Sequence, residues 1–459
     1  MQNIYTEVNS LDRRCCEKFF LDENILMEHA SSAISKFIEN KFEKNSKVLI
    51  VCGSGNNGAD GIALARLLHK NFQVKLYMPF ELKSPMSKVQ LQRSTAVGVE
   101  VVDEIIECDV VVDALFGSGL SRFLDESSTK LLKQMNSLKA YKIACDISSG
   151  ILNDGECDCN SFKAQTTITM GALKLSMFSD SAKEYVGNIE VAELGVAHEI
   201  YEIDSDIKLL DLSDLKLPMR TEKSSHKGSF GHLTVLSGEK VGASVIAGTS
   251  ALNFGVGLVT LVSERVTDIP FSLMSSSTLP TNTTAIALGM GLGTELNREL
   301  LNNKLPLILD ADIFSNEYIL ELLKRENIVI TPHPKEFTTL LKKCNIADIS
   351  VNELQKNRFK YVKLFNEKYP HIVLLLKGAN VIISHNEKMF INPHGTQALA
   401  KGGSGDVLSG LIGSLLAQGQ EPLDATINGS LAHTLCAIKF KKNNYALTPE
   451  ELIEQLKTL

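Results

Sequence analysis

Residues 402–410 read GGSGDVLSG and lead directly into an apolar helical pattern. Small residues let a backbone approach an anion, and the free N–H groups at a helix N-terminus favour negative charge. Asp406 lies inside this turn, where it could take a proton from a substrate hydroxyl beside a phosphoryl group. The pattern predicts a phosphate site with its own base. The alternative is a glycine-rich helix start with an ordinary capping aspartate.

A second glycine-rich turn, GSGNNGADG at 53–61, precedes a predicted helix over 62–70. It lacks the Gly-Lys-Ser/Thr that grips a terminal phosphate with Mg²⁺, so NTP hydrolysis is not expected there. Its amide and carboxylate oxygens suit a hard cation. The alternative is that Asn56 and Asn57 only tolerate left-handed turn geometry. Asp113 in DALFGSGL and Asp146 in DISSG end two further predicted strands, so three such turns meet at one edge of a parallel sheet.

The elements that must position these turns follow an α/β pattern, since both halves alternate short apolar runs with helical patterns. The length of 459 residues suggests two or three domains. Charged residues over 201–225 predict the linker, and 380–391 predict a hairpin turning at residues 385–386. The predicted strands are 47–52, 73–78, 110–114, 141–146, 166–170, 232–236, 258–263, 285–288, 305–309, 327–330 and 372–376.

Composition disfavours several classes of protein. The net charge of -7 argues against nucleic-acid and anionic-membrane partners. The sequence contains no signal-peptide core and no membrane-spanning apolar run, so we expect a cytoplasmic protein. Nine cysteines is an odd number, and Cys157 and Cys159 lack zinc-site spacing, so free thiols are expected.

The motifs of the first half, in their order, resemble the NAD(P)H-hydrate epimerase domain: CGSGNNGADG, DALFGSGL, DISSG and TITMGALK. The resemblance covers residues 1–205 and implies a Rossmann-like α/β/α sandwich. It implies that Asp146 is the acid/base and contacts substrate, and that K⁺ is held by Asn57, Asp113 and Ser149. Further substrate contacts would come from Asn56, Asn57, Gly58, Ala59, Asp60, Gly117, Ser118, Gly119, Leu120, Ser121, Arg122 and Phe123. Ala59 replaces a usual glycine and Ser148 a usual proline; Ala59 is tolerable if its φ is negative.

The second half carries HKGSFGH, GASVIAG, GMGLG, DAD, TPHPKEF, KGA and GGSGD in order. This set resembles the NAD(P)H-hydrate dehydratase domain of the ribokinase-like superfamily over residues 212–459. The resemblance implies a hydrate site lined by Ala243, Gly291, His333 and Asp406, with Asp406 catalytic. It implies a nucleotide site lined by Lys377, Gly378, Ala379, Asn380, Val381 and Gly405. On residues alone, the small side chains at 243, 247 and 251 favour close helix packing. The family usually has YGGA where Lys240 and Val241 precede GA here.

The two resemblances together imply a bifunctional metabolite-repair enzyme. It would interconvert the R and S forms of NADHX and NADPHX and dehydrate the S form, turning ADP into AMP and phosphate, with Mg²⁺ in the dehydratase domain. We expect a homo-oligomer with no nucleic-acid or membrane partner. Two alternatives are a vitamin-precursor or sugar kinase with a helper domain, and a non-catalytic messenger-RNA decapping scaffold. The kinase would not need GSGNNGADG or TPHPKEF, and the scaffold would have lost Asp113, Asp146 and Ser149.

Overall fold

The computed structural model describes residues 1–263, 269–294 and 296–459. These residues form two compact units. The N-terminal unit comprises residues 3–205, and the C-terminal unit comprises residues 206–459 together with residues 1–2. Each unit has its own sheet and its own core, so each is described by itself.

The N-terminal unit alternates strands and helices along the chain. Its strands are β1 (Gln2–Tyr5), β2 (Lys47–Cys52), β3 (Gln73–Tyr77), β4 (Glu100–Val102), β5 (Val110–Ala114), β6 (Tyr141–Cys145), β7 (Thr166–Met170), β8 (Leu173–Lys174) and β9 (Asn188–Ala192). Its helices are α1 (Asn9–Phe19), α2 (Glu23–Lys41), α3 (Asn56–Leu68), α4 (Pro85–Ala96), α5 (Glu126–Ser137), α6 (Lys183–Val186) and α7 (His198–Tyr201).

Seven of these strands form a parallel sheet in the order β4-β3-β2-β5-β6-β7-β9, and β1 pairs separately with β8. Alternate residues of β2 face opposite sides: Val48 and Ile50 pack against the α1–α3 side, while Leu49 and Val51 pack against the α5 side. Helices therefore cover both faces, which confirms the Rossmann-like sandwich. The strand order reverses between β2 and β5, where open α/β sheets bind ligands at the carboxyl ends of their strands.

The C-terminal unit repeats this plan with a larger sheet. Its strands are β10 (Ile207–Leu209), β11 (His232–Leu236), β12 (Leu258–Val262), β13 (Met274–Ser276), β14 (Ala285–Leu288), β15 (Leu307–Leu309), β16 (Ile328–Ile330), β17 (Val373–Leu376), β18 (Val381–His385) and β19 (Lys388–Asn392). Its helices are α8 (Val241–Asn253), α9 (Ile319–Leu322), α10 (Pro334–Lys343), α11 (Val351–Lys356), α12 (Arg358–Lys368), α13 (Ser404–Ala417), α14 (Pro422–Lys439) and α15 (Pro449–Leu456).

The strand order is β13-β12-β11-β14-β15-β16-β17-β18-β19-β10. All neighbours are parallel except the two pairs that involve β18. Leu233 and Val235 face the core that includes α8, α13, α14 and α15, whereas Leu236 faces the core that includes α10 and α12. The carboxyl ends of β15, β16 and β17 lead into the DAD, TPHPKEF and KGA motifs, so the fold gathers three motifs at one edge.

The structure confirms the α/β class and every predicted strand, with ends shifted by two residues at most. Three predictions need correction. Helix α3 begins at Asn56 instead of residue 62, because the expected turn already forms the first helical turns. The hairpin turns at Asn386 and Glu387, whose φ angles are 48° and 65°. The expected linker contains β10, which pairs with β19.

The small residues of α8 are explained by helix packing. Ala247 and Ala251 are fully buried. A Cβ added at Gly410 of α13 would lie 2.0 Å from Ser250 Oγ and 2.2 Å from Ala247 O. The two helices therefore approach closely, as the packing interpretation of the GASVIAG segment predicts.

Candidate active sites

The N-terminal unit contains a cavity of about 460 Å³ at the point where its strand order reverses. Three elements supply the charged part of its wall: α1, α3 and the turn after β6. The lining residues are Val8, Asn9, Asp12, Ser54, Gly55, Asn56, Asn57, Asp60, Leu115, Phe116, Gly117, Ser118, Gly119, Leu120, Asp146 and Met170. The volume is in the range of small-ligand pockets.

Asn57, in the first turn of α3, has buried amide atoms, and neither has a hydrogen-bond partner among the described residues. Buried polar atoms without partners are costly, so an unsatisfied amide at a cavity wall indicates a ligand or an ion. Asn56 and Asn57 are helical and absent from the residues with positive φ. The left-handed-turn alternative is therefore wrong.

Asp113 and Ser149 meet at the ends of β5 and β6. The Ser149 hydroxyl donates to Asp113 Oδ1 at 2.7 Å, and the Ser149 N–H donates to Asp113 Oδ2 at 2.8 Å. Burial raises the pKa of Asp113 to about 6, although the Ser149 bonds oppose it. A cation beside this carboxylate would relieve that cost. The donor set of amide, carboxylate and hydroxyl oxygens fits a hard cation such as K⁺.

Asp146 follows β6 in left-handed conformation, with φ of 71°. Its Oδ1 lies 2.7 Å from Lys174 Nζ, and both side chains are largely buried. The Ser118 and Met170 N–H groups also donate to it, each at 3.2 Å. Burial raises the pKa of Asp146, but Lys174 and the N–H donors outweigh burial and hold it below its usual value. The carboxylate is therefore ionised and fixed at the cavity wall.

The predicted epimerase residues differ in where they lie. Asn56, Asn57, Asp60, Gly117, Ser118, Gly119, Leu120 and Asp146 line the cavity. Gly58 and Ala59 are buried inside α3, where a Cβ at Gly58 would lie 2.0 Å from Gly53 O. Ala59 has helical backbone, so its replacement of glycine is tolerated. Ser121, Arg122 and Phe123 are exposed and lie outside the cavity lining. Ser148 donates to Tyr185 O at 2.8 Å, which holds the turn without proline.

Two residues of this site were not predicted from the sequence. Asp12 of α1 lines the cavity and accepts a hydrogen bond from Tyr201 Oη at 2.8 Å. Lys174 is 2% exposed, and its Nζ also donates to Thr169 Oγ1 and Met170 O. A lysine inside the apolar segment GALKLSMF was the available signal for Lys174, because a buried charge needs a partner.

The C-terminal site is built around Asp310, which follows β15 and is 2% exposed. Its Oδ1 lies 2.6 Å from Lys377 Nζ, and its Oδ2 accepts from Ser409 Oγ at 2.6 Å. Ser409 belongs to α13, one helical turn after Asp406. Asp310 therefore ties the end of β17 to the helix that carries the predicted base.

Asp406 lies in the first turn of α13, after Gly403 at φ of 86°. Burial, followed by the nearby charge of Asp310, raises the pKa of Asp406 to about 6, while Lys377 opposes the rise. A carboxylate titrating near neutral pH suits a general base. A Cβ at Gly405 would lie 3.2 Å from Lys377 Nζ, so glycine keeps this approach open.

His333 is the N-cap residue of α10 and shares a capping box with Glu336. Its ring Nδ1 accepts hydrogen bonds from the backbone N–H groups of Lys335 and Glu336. Its backbone N–H donates to Glu336 Oε2 at 2.8 Å. Burial raises the pKa of Glu336 to about 7. The charges of Asp310 and Lys377 affect the pKa values of both His333 and Asp406, so both side chains lie near the Asp310–Lys377 pair.

Gly291 adopts φ of 65°, and its carbonyl accepts from the Lys240 N–H at 2.9 Å. Ser244 Oγ donates to Met290 O at 3.0 Å, which brings the start of α8, where Ala243 lies, to the same turn. The Gly293 N–H donates to Asp312 Oδ2 at 2.9 Å, so this turn joins the Asp310 segment.

The KGA turn is supported by Arg358, a third residue that sequence reasoning missed. Arg358 is 3% exposed and donates to the carbonyls of Leu376, Lys377 and Asn380. A Cβ at Gly378 would lie 2.4 Å from its guanidinium. Arg358 fixes the backbone of 376–380, and Val381 continues it as the first residue of β18. In the sequence, Arg358 is only an arginine at the start of a helix. Such residues are common on protein surfaces, so the sequence did not mark Arg358 as part of a site.

Comparison with known proteins finds matches to both halves of the chain. The family model described as NAD(P)H-hydrate dehydratase matches residues 233–458, and the YjeF-related protein N-terminus model matches residues 23–176. A Helicobacter pylori protein named bifunctional NAD(P)H-hydrate repair enzyme Nnr is 44% identical over 473 residues, covering 100% of both chains. The chain belongs to the bifunctional NAD(P)H-hydrate repair enzymes. The epimerase and dehydratase domains of this family are both present, so the kinase and scaffold alternatives are set aside.

Two further relatives have lower sequence identity. The protein of the same name from Escherichia coli is 31% identical and covers 90% of this chain and 84% of its own. Among solved structures, the Bacillus subtilis ADP/ATP-dependent NAD(P)H-hydrate dehydratase co-crystallised with ATP/Mg²⁺ is 28% identical. It covers 53% of this chain and 92% of its own, with a TM-score of 0.44. No helix in the described part of the chain is long and apolar enough to cross a membrane.

Proposed function

We propose that residues 1–205 epimerise NAD(P)H hydrate at C6 and residues 212–459 dehydrate its S form with ADP. The observation that carries this is one polar site in each unit, built at the carboxyl ends of parallel strands, in a chain related over its full length to repair enzymes. In one site the acid/base candidate is Asp146, and in the other it is Asp406. The two substrates, NADHX and NADPHX, have the same reacting nicotinamide ring.

For dehydration, Asp406 takes the proton of the C6 hydroxyl, whose oxygen then bonds to the terminal phosphorus of ADP. AMP leaves, and the N–H groups of 403–405 stabilise the charge on the transferred phosphoryl group. The ring nitrogen then pushes its electron pair toward C6, the C6–O bond breaks, and phosphate departs. Loss of a proton from C5 restores the reduced nicotinamide. Hydrate contacts come from Ala243, Gly291 and His333.

The nucleotide lies on the turn that Arg358 supports, with Lys377, Gly378, Ala379, Asn380, Val381 and Gly405 as contacts. In the described residues, no group of three His, Cys, Asp or Glu side chains is arranged to hold a metal ion. Mg²⁺ usually binds one or two carboxylates, water and substrate phosphates, so these residues fit an ion carried by the nucleotide. When bound, Mg²⁺ supplies positive charge to the phosphates.

For epimerisation, Asp146 moves the proton at the nicotinamide ring. Asn57, Asp113 and Ser149 would hold K⁺, which would supply positive charge for the phosphate end of the substrate. The unsatisfied amide of Asn57 supports this site. The remaining predicted contacts, including Ser121, Arg122 and Phe123, belong to this proposal as the rim of the site.

The test is recovery of reduced-nicotinamide absorbance from mixed R and S hydrate, with protein and ADP–Mg²⁺. Complete recovery is expected. Recovery that stops at the S fraction would remove the epimerase half of the proposal. Recovery with ATP and none with ADP would overturn the choice of ADP alone. No recovery with either nucleotide would remove the dehydratase half.

The cellular setting completes the proposal. All nine cysteines are free thiols, which fits a reducing compartment such as the cytoplasm. The expectation of a homo-oligomer stays a prediction, and light scattering of the purified protein measures it.

A further inference from the structure

The N-terminal cavity holds more acid groups than one proton-transfer residue requires. Asp12 from α1, Asp60 from α3 and Asp146 from the end of β6 all line it. Asp146 pairs with Lys174 at 2.7 Å. Asp12 instead accepts a hydrogen bond from the phenol of Tyr201. The cavity therefore presents one carboxylate paired with a cation and another held by a neutral donor.

The Tyr201 side chain is fixed in place. It is 1% exposed, and its ring packs on Gly171, where a Cβ would lie 2.4 Å from the ring. Gly171 has φ of 74°, so glycine is favoured there for its backbone as well. Arg14 donates to the Tyr201 carbonyl at 3.1 Å. A rigid phenol 189 residues away along the chain thus holds the Asp12 carboxylate in the cavity lining.

The surroundings of Asp12 and Asp146 shift the pKa values of the two carboxyl groups in opposite directions. Burial raises the pKa of Asp12, although the Tyr201 hydrogen bond and Lys174 oppose the rise. The pKa of Asp146 is lowered, because Lys174 outweighs burial. Pairs of carboxyl groups separated in this way are typical of acid and base assignments. The titratable groups around Asp12 are Cys15 and Cys16 on α1, Glu23 on α2, Asp60 on α3, Asp146, Lys174 and Tyr201.

We propose that Asp12 is the second proton-transfer residue of epimerisation, the acid partner of Asp146, and that Tyr201 is its positioning residue. The proposal rests on the epimerase function proposed above. It assigns the site two proton-transfer groups on separate elements, because inverting a carbon that bears a hydroxyl needs a donor and an acceptor.

The chemistry balances with these two groups. Asp12 donates its proton to the C6 hydroxyl, the C6–O bond breaks with its electron pair leaving in water, and the ring-nitrogen pair forms the C6=N1 bond. Water then adds to the opposite face of C6, and Asp146 takes the released proton while N1 recovers its pair. No group is oxidised or reduced, and one water replaces another. Exchange of protons with solvent returns both carboxyls to their starting states.

The decisive variant is Asp12→Asn, which keeps an oxygen that can accept from Tyr201 and removes the acid. We expect the kcat for R-to-S conversion to fall by about 10²–10⁴-fold. Dehydration of pure S hydrate by the same sample should stay at the parent rate, which checks the integrity of the preparation. Glu17→Gln is the matched control, because it removes an exposed carboxylate from the same helix. Parental R-to-S conversion by Asp12→Asn would overturn the proposal.

Tyr201→Phe separates positioning from general support of the fold. The phenol stabilises the ionised form of Asp12, so its loss should raise the pKa of Asp12. A general acid loses activity as pH rises through its pKa, so the alkaline limb of kcat/KM for epimerisation should move to higher pH. A residue with only a structural role would lower the rate without moving that limb, and an unmoved limb would refute the role of Tyr201.

Asp60→Asn tests the competing carboxylate. Asp60 lines the same cavity, so KM is expected to rise while the alkaline limb stays in place. The alkaline limb of the epimerisation profile could instead disappear in Asp60→Asn and persist in Asp12→Asn. That result would transfer the acid role to Asp60 and refute the assignment of Asp12. A parent protein that cannot interconvert the epimers refutes the epimerase function itself, which distinguishes that failure from this one.

Discussion

Replacing Lys174 by Met removes the cation from the pair with Asp146 and keeps a long apolar side chain. The pair is 2.7 Å long, and the two side chains are 3% and 13% exposed. Breaking a buried pair from one side leaves an uncompensated charge, which costs about 3–5 kcal/mol. For a domain of this size the expected fall in Tm is roughly 6–20 °C.

The effect depends on pH in a defined direction. In the parent, the folded pKa of Asp146 lies below its ordinary value. The pair therefore stabilises the fold above about pH 4, the range of an unfolded aspartate, and this is lost as pH falls through the folded pKa. In Lys174→Met burial is no longer opposed by the lysine, so the folded pKa rises and the variant gains stability as pH falls. The difference between parent and variant should narrow from neutral pH toward about pH 4.

The assay is denaturant unfolding read by hydrogen exchange in peptides from the N-terminal unit, at several pH values. Lys75→Met is the matched control, since Lys75 pairs with Glu100 at an exposed position in the same unit, where ion pairs contribute about 0–1 kcal/mol. Lys174→Met combined with Asp146→Asn should recover much of the loss, because it also removes the charge. Equal stability of the Lys174 and Lys75 variants at neutral pH would refute the reasoning.

Three further predictions concern the two sites. Asp406→Asn should lower the rate of S-hydrate dehydration by about 10²–10⁴-fold while epimerisation continues. The dehydration rate of the parent should fall below about pH 6, as the base is protonated. A dehydration rate that changes neither with the substitution nor with pH argues against Asp406 as the base. Gly58→Ala should cost the N-terminal unit about 1–3 kcal/mol, measured by denaturant unfolding, because its Cβ would lie 2.0 Å from Gly53 O; unchanged unfolding contradicts this. Exchanging K⁺ for tetramethylammonium should slow R-hydrate repair and spare S-hydrate repair, and equal repair in both salts counts against the K⁺ site.

Much of the fold follows from local patterns. Buried parallel strands are continuous apolar runs, so segments such as Val110–Ala114 and Ala285–Leu288 are visible in the sequence. Edge strands such as Glu100–Val102 were missed, because they are short and half exposed and lack that pattern. The start of α3 was missed because Asn and Gly favour turns, yet the helix begins at Asn56 and its residue Gly58 lies directly against Gly53.

The candidate site residues also fall into two groups, those that the sequence pattern indicates and those that it does not. Asp113, Asp146 and Asp406 could be proposed as site residues from the sequence, because each stands in or next to a small-residue turn at a strand or helix end. Lys174 stands in an apolar segment and Tyr201 in an ordinary one, and the role of each depends on a partner distant in the chain.

The sequence by itself determined the α/β class, the two sets of motifs and the edge of each sheet where they meet, because periodicity and glycine-rich turns are local properties. Only the tertiary structure decided which charges share a cavity. The contacts between Tyr201 and Asp12, Lys174 and Asp146, and Lys377 and Asp310 join residues far apart in the chain. Burial and electrostatic pairing depend on the surroundings of a side chain in space, and those surroundings exist only after the strands and helices pack.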